Sequence, residues 1–169
     1  MSARGVTGVA NLVSFEVGGV LYALDIQSVR GIIKPLPLHR LAHLPDTVVG
    51  VADHRGDVVP VVDLRLRFGA TGPQDSSAGR WIIVRRASRL VAFVVDRVVE
   101  VCDTTKLEPR ETPEIGHGDD ARGIVAAHAN RGRLLFVVDA ETLAAAALGL
   151  DAQLLRLPAS ASVGEHGGR

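Results

Sequence analysis

The sequence predicts a mainly β protein made of two small barrels packed on each other. Three observations carry this. Short, β-branched apolar runs recur along the chain and are separated by Gly and Pro turn signals. The two halves echo each other: Gly50-Val-Ala-Asp-His-Arg-Gly-Asp-Val-Val-Pro-Val-Val-Asp63 resembles Gly123-Ile-Val-Ala-Ala-His-Ala-Asn-Arg-Gly-Arg-Leu-Leu-Phe-Val-Val-Asp139. Each half also holds about five short strands, as many as a small closed barrel needs to hide its edges.

Leu12 to Val17 reads as a strand, Gly18-Gly19 supplies the positive φ of a tight hairpin turn, and Leu21 to Ile26 reads as the return strand. Val29 to Ile33 is a third run, stopped by Pro35 and Pro37, which cannot donate to a ladder. Val48 to Ala52 and Val58 to Val62 pair across a turn at Arg55-Gly56-Asp57. Asp63 to Gly69 has the signature of one helical turn, with Asp as N-cap and Gly at its end. Residues 70–79 are polar and without periodicity, and mark the internal boundary. Strands resume at Trp81 to Arg85, Leu90 to Val95 and Arg97 to Cys102. Residues 103–122 read as a long surface excursion, Gly123 to His128 and Leu134 to Val138 as strands, and Asp139 to Leu148 as an Ala-rich helix capped by Asp139. Leu21 to Asp25 before Val29 also matches Ala92 to Asp96 before Val98. The resulting expectation is a flexible stretch at 1–11 and one domain at 12–148. Within it the first barrel spans about 12–69, the linker 70–79, the second barrel about 80–138 and the helix 139–148. A tail follows at 149–169, disordered from 158.

Composition narrows the function. Of 169 residues 47% are hydrophobic and 22% charged, ordinary for a globular protein. Nineteen basic side chains, all arginines apart from Lys34 and Lys106, balance nineteen acidic ones. That leaves no net field to hold a nucleic acid. The late charge-free run from Thr142 to Leu150 is far too short to cross a membrane. With one cysteine, Cys102, no intramolecular disulfide can form, and the first residues lack the apolar core of a signal peptide. These features predict a cytoplasmic protein without membrane insertion.

Residue types that could carry chemistry have plainer readings. Asp63, Asp96 and Asp139 each follow Val-Val, and the repetition favours capping or turn formation over acid–base work. His39 and His43 are four apart, but the surrounding Pro35, Pro37 and Pro45 argue against a helix that would present both to a metal. Cys102 lies between Val101 and Asp103, next to Glu100, flanks that raise rather than lower a thiol pKa. Arg55-Gly56-Asp57 reads as a hairpin turn and not as an adhesion signal. No phosphate loop or nucleophile elbow is present. The expectation is a protein with no enzymatic activity, no metal and no cofactor, acting by surface complementarity.

The chain resembles the CheW-like domain family, the coupling proteins of bacterial chemosensory arrays. The resemblance starts at Val13-Ser-Phe-Glu-Val17 and Tyr22-Ala-Leu-Asp-Ile26. It is most specific at Gly50-Val-Ala-Asp-His-Arg-Gly56 followed by Val59-Pro-Val-Val-Asp-Leu-Arg65. It continues at Val94-Val-Asp96, Leu107-Glu-Pro109 and Leu135-Phe-Val-Val-Asp139, covering about residues 12–148. It implies two SH3-like five-stranded barrels with a hydrophobic seam, no catalytic activity and no cofactor. It also implies a free-standing coupler between the cytoplasmic tip of a methyl-accepting chemoreceptor and the regulatory domain of a CheA-type histidine kinase, held at receptor arrays on the inner membrane.

By the same resemblance the receptor-facing groove takes Val29, Gly50, Arg55, Gly56 and Gly123, and the kinase-facing surface takes Leu38, Leu41, Val58 and Val59. Two departures fall at this interface. Gly31 stands where the family often has a Glu that could pair with the arginine matched by Arg55, and Asp53-His54 replaces Asn-Leu. An adaptor of a non-flagellar pathway, twitching or gliding among them, is the alternative reading. A nucleic-acid-binding β-barrel is disfavoured by the neutral charge and the few aromatics.

Overall fold

In the computed structural model, residues 11–72, 77–112 and 123–149 are described. Eleven strands among them form two sheets. The strands are β1 (Asn11–Val17), β2 (Val20–Asp25), β3 (Val29–Ile33), β4 (Val48–His54), β5 (Asp57–Asp63), β6 (Arg80–Arg86), β7 (Arg89–Val95), β8 (Arg97–Asp103), β9 (Glu108–Arg110), β10 (Ile124–Asn130) and β11 (Arg133–Val138). Two helices, α1 (Leu64–Phe68) and α2 (Ala140–Ala147), follow β5 and β11. One sheet has the order β8-β1-β2-β11-β10-β9 and the other β3-β6-β7-β5-β4. The predicted mainly β fold with two barrels is therefore found.

The predicted division of the chain between the barrels is not. The hairpin β1–β2 joins the sheet of β8 to β11, and the hairpin β6–β7 joins the sheet of β3 to β5. A cut at 70–79 would divide both sheets. Each exchanged hairpin is held by a parallel contact, β2 with β11 and β7 with β5, and such pairings need long crossovers. The segment 70–79 is also not all solvated linker: Ala70 packs on the seam core and the Gly72 carbonyl accepts from Arg65.

The exchange preserves the duplication, and the register makes it residue-specific. The order β8-β1-β2-β11-β10 matches β3-β6-β7-β5-β4 strand for strand. Val98 faces Phe15 and Glu100 faces Ser14 across a bulge; Val29 faces Val84 and Gly31 faces Ile83 across a bulge. Gly50 faces Val61 as Ala126 faces Val137, so Gly50 is the counterpart of Ala126 and not of Gly123. Gly123 matches Thr47: their carbonyls accept from the Asp139 and Asp63 amides at 2.7 and 2.9 Å.

Three apolar clusters explain why the strands read as continuous apolar runs. Leu12, Leu21, Ala23, Cys102, Leu107 and Leu135 fill one barrel. Ala52, Val59, Val61, Trp81, Ile83 and Ala92 fill the other. Phe15, Leu24, Ile82, Val84, Phe93 and Val95 lie in the larger cluster between them, together with Leu143 of α2. Alternate residues of β6 and β7 thus point into the barrel and into the seam, so both faces are buried. The first sheet also curls until β10 reaches its edge strand β8, where Asn130 Nδ2 donates to Glu100 Oε1 at 3.0 Å.

The helix ends follow their sequences. Asp63 accepts from Arg65 N and Gly69 ends α1 at φ 65°, while Asp139 accepts from Thr142 N. Phe68 stacks on Tyr22 with centroids 4.6 Å apart, fixing α1 to the other sheet. The excursion at 103–122 is shorter than predicted. Leu107 is buried and Glu108–Arg110 pair with β10, whereas 113–122 lie outside the described residues, as do 1–10, 73–76 and the tail from 150.

Candidate functional site

The hairpin β4–β5 closes through Arg55 and Gly56, with φ 56° and 89°, the positive values of a two-residue turn matched to sheet twist. Asp53 Oδ1 accepts from Gly56 N at 2.8 Å and fixes the turn. Asp53 therefore serves the backbone, and among the described residues nothing holds the exposed Arg55 guanidinium. Gly31, on β3, leaves open space where a Cβ would stand. The turn presents a fixed backbone and an unpaired cation.

The other predicted groove residues divide. Val29 is half-buried against the seam. Gly50 is buried at φ 155°, and a Cβ there would lie 2.7 Å from the His39 carbonyl oxygen. This glycine admits the strand-like contact in which His39 N donates to Val51 O at 2.8 Å. Gly123 is buried too; its Cβ would sit 3.2 Å from Asp139 O and 3.3 Å from Leu143 N, against the first turn of α2. Gly50 and Gly123 are thus close-approach positions for this chain's own backbone, which corrects their reading as openings for a partner helix.

The predicted kinase-side residues divide as well. Leu38, Leu41 and Val58 are exposed, Val58 at 74%. Val59 is 1% exposed in a barrel core and cannot face a partner; strand alternation sends it inward and Val58 outward. Val58 lines an open cleft of about 370 Å³ between the β4–β5 and β6–β7 hairpins, with Pro60, Leu90, Arg89 and, from beyond α2, Leu148.

Two polar assemblies had no signal in the chain. Arg65, 9% exposed, reaches Asp96 Oδ2 at 2.7 Å and the Gly72 carbonyl at 2.9 Å. Asp96 Oδ2 also accepts from Gly18 N at 2.7 Å. Asp96 thus caps no helix, unlike Asp63 and Asp139; it joins three connections, and Arg97 directly after it starts a strand. Glu16 accepts from Arg97 at 2.7 and 2.9 Å and pairs with Arg133 at 2.8 Å. These guanidiniums, Arg97 first, hold its carboxyl down at about 2 against the opposing effect of burial.

The remaining candidates are structural. Burial pushes the Cys102 thiol up, away from the thiolate that nucleophilic chemistry needs. Burial likewise lowers His128 and favours the neutral ring. His39 and His43 lie outside any helix, and no group of ligating side chains gathers among the described residues. No described helix is long and apolar enough to cross a membrane.

Residues 11–148 match the family model for the CheW-like domain. The chain is 32% identical over 129 residues to the chemotaxis protein CheW of Klebsiella aerogenes, covering 76% of this chain and 78% of the relative. It is 30% identical over 106 residues to that of Helicobacter pylori, covering 63% of this chain; the match spans 64% of that relative's length. The crystal structure of the scaffolding protein TtCheW from Thermoanaerobacter tengcongensis superposes with a TM-score of 0.67 at 27% identity, covering 78% of this chain and 89% of that one. With two interleaved barrels and a family match spanning nearly every described residue, the chain belongs to the CheW-like domain family.

Proposed function

We propose that this chain is a non-catalytic coupling scaffold of chemosensory signalling, working in the cytoplasm at receptor arrays. It joins the cytoplasmic tip of a chemoreceptor to the regulatory domain of a CheA-type histidine kinase. The observation that carries this is the family match across residues 11–148, which takes in both barrels. The surface supports it. Arg55, fixed in its backbone and free in its side chain, suits a bidentate contact with a partner carboxylate or backbone carbonyls. Val58, Leu38 and Leu41 offer exposed apolar area on the same barrel. Of the predicted groove residues, Val29, Arg55 and Gly56 are retained as partner-facing, and of the kinase-side set Leu38, Leu41 and Val58.

Capture experiments test the reading. Immobilised full-length chain is expected to retain the receptor tip fragment and the kinase regulatory domain together. Retention of neither would overturn it. Arg55→Ala is expected to keep the parent's melting temperature and lower capture at least tenfold.

A further inference from the structure

The seam face of the second sheet is covered only in part. Along β5 that face runs from Val62, fully buried, through half-buried Pro60 to Val58, which stands 74% exposed. Along β7 it runs from buried Phe93 and Val91 to exposed Arg89. Leu143, Ala144 and Ala147 of α2 pack on the buried part. Leu148 marks its limit, on the rim of the cleft that Val58 and Pro60 also line. The cleft is therefore the uncovered end of the seam face.

Its charges are incompletely paired. Arg86 and Arg89 face each other directly across β6–β7, two like charges on one face. Glu141 of α2 meets the first of them, with Oε1 3.4 Å from Arg86 Nε, and that Nε makes no hydrogen bond among the described residues. Arg89 and, on the other hairpin, Asp57 have no ion-pair partner among the described residues.

The chain that leaves the rim complements it. Gly149, at φ 67°, ends α2 and turns the chain off the helix axis. Directly after it, Leu150-Asp-Ala-Gln-Leu-Leu-Arg-Leu157 carries four leucines, one acid and one base. From Pro158 onward the only large aliphatic residue in the sequence is Val163. The apolar content beyond α2 is thus concentrated next to the uncovered apolar face. Extended, residues 150–157 reach about 25 Å, enough to cross the cleft.

We propose that residues 150–157 fold back over this cleft as an intramolecular cover. Their leucines lie on Val58, Pro60 and Leu148, Asp151 meets the Arg86–Arg89 pair, and Arg156 meets Asp57. Tethering at Gly149 holds the segment at high effective concentration, so modest contacts suffice. A covered Val58 does not face a partner at the same time, so the segment competes with docking at that hairpin. The competition rests on the coupling reading; the cover does not.

The experiment reads the two separately in full-length chain. Ser88, exposed on the cleft wall, is replaced by Cys and its alkylation by iodoacetamide is timed, buried Cys102 giving the slow background. Adding Leu154→Ser with Leu155→Ser is expected to speed the reaction at least fivefold with an unchanged circular dichroism spectrum. Val163→Ser, outside the segment, is expected to leave the rate unchanged. Equal rates with and without the two leucines would overturn the cover. A rate that slows with protein concentration would assign the cleft to a second copy of the chain and overturn it as well. Without the reporter cysteine, Leu154→Ser with Leu155→Ser is expected to capture the kinase regulatory domain at least threefold more tightly than the parent. Equal capture would overturn the competition. Capture by neither chain would remove the coupling reading, while the alkylation rates still decide the cover.

Discussion

Glu16 shows how much one side chain can hold. Its folded pKa of about 2 lies below the ordinary 4.5, so the carboxylate's contribution is fully present above the unfolded value and disappears as pH falls through the folded one. Both arginine partners are about half exposed, at 52% and 49%, which limits the gain to roughly 1 kcal/mol. Urea titrations at pH 7 and near pH 2 are expected to show Glu16→Gln costing that amount at pH 7 and almost nothing at the lower pH. An unchanged difference would remove the ion pairs from the account. Gly50 makes a sharper prediction. Gly50→Ala brings a Cβ against the His39 carbonyl at positive φ and is expected to cost about 1–3 kcal/mol, whereas Gly31→Ala meets open space and costs little. A partner-binding defect at Gly50 would therefore follow lost stability. The sequence pattern identified both glycines but could not say which faced a backbone, since that depends on where the proline-rich segment before His39 returns to β4.

Among elements, the connections carry the most risk. Asp96 binds the β1–β2 turn, α1 and the β7–β8 junction through a single carboxylate. Asp96→Ala strands a buried guanidinium and is expected to lower stability by about 3 kcal/mol, read from the urea midpoint. Asp139→Ala, which removes only the cap of α2, is expected to cost about 1 kcal/mol. Hairpins and caps were legible because their causes are local: two residues of positive φ, or an Asp before a helical turn. The role of Asp96 was hidden, because Val-Val-Asp looks the same whether a helix or a strand follows. β9 was hidden as well, its three exposed residues carrying no alternation and their pairing with β10 being purely long-range.

At the scale of the molecule, neither half is a folding unit. Chain cleaved between Asp75 and Ser76 leaves each fragment without the hairpin that completes its sheet. Separate fragments are expected to lack fixed structure by circular dichroism, and co-expressed fragments to migrate as one species in gel filtration. Independent folding of either fragment would contradict the interleaving. Duplication could be read from the chain because it repeats residue types; the exchange could not, because either half could close on its own hairpin with the same apolar pattern.

The interleaving also orders events during synthesis. The strands of one sheet lie together between Val29 and Val95 and can all pair soon after the ribosome has released them. The other sheet needs β1 and β2, the first of these strands to be made, to wait for β11, the last of them. Until then Leu21 lacks the Leu135 side of its barrel core, and the early hairpin can only lay Phe15 and Leu24 on the seam face of the first sheet, with its other face exposed to chaperones and to neighbouring chains. Such distant pairing also slows folding. Substitutions at Phe93 or Ile83 should therefore slow refolding, whereas those at Leu135 should mainly hasten unfolding. The hairpin β1–β2 completes its sheet only once β11 has been made.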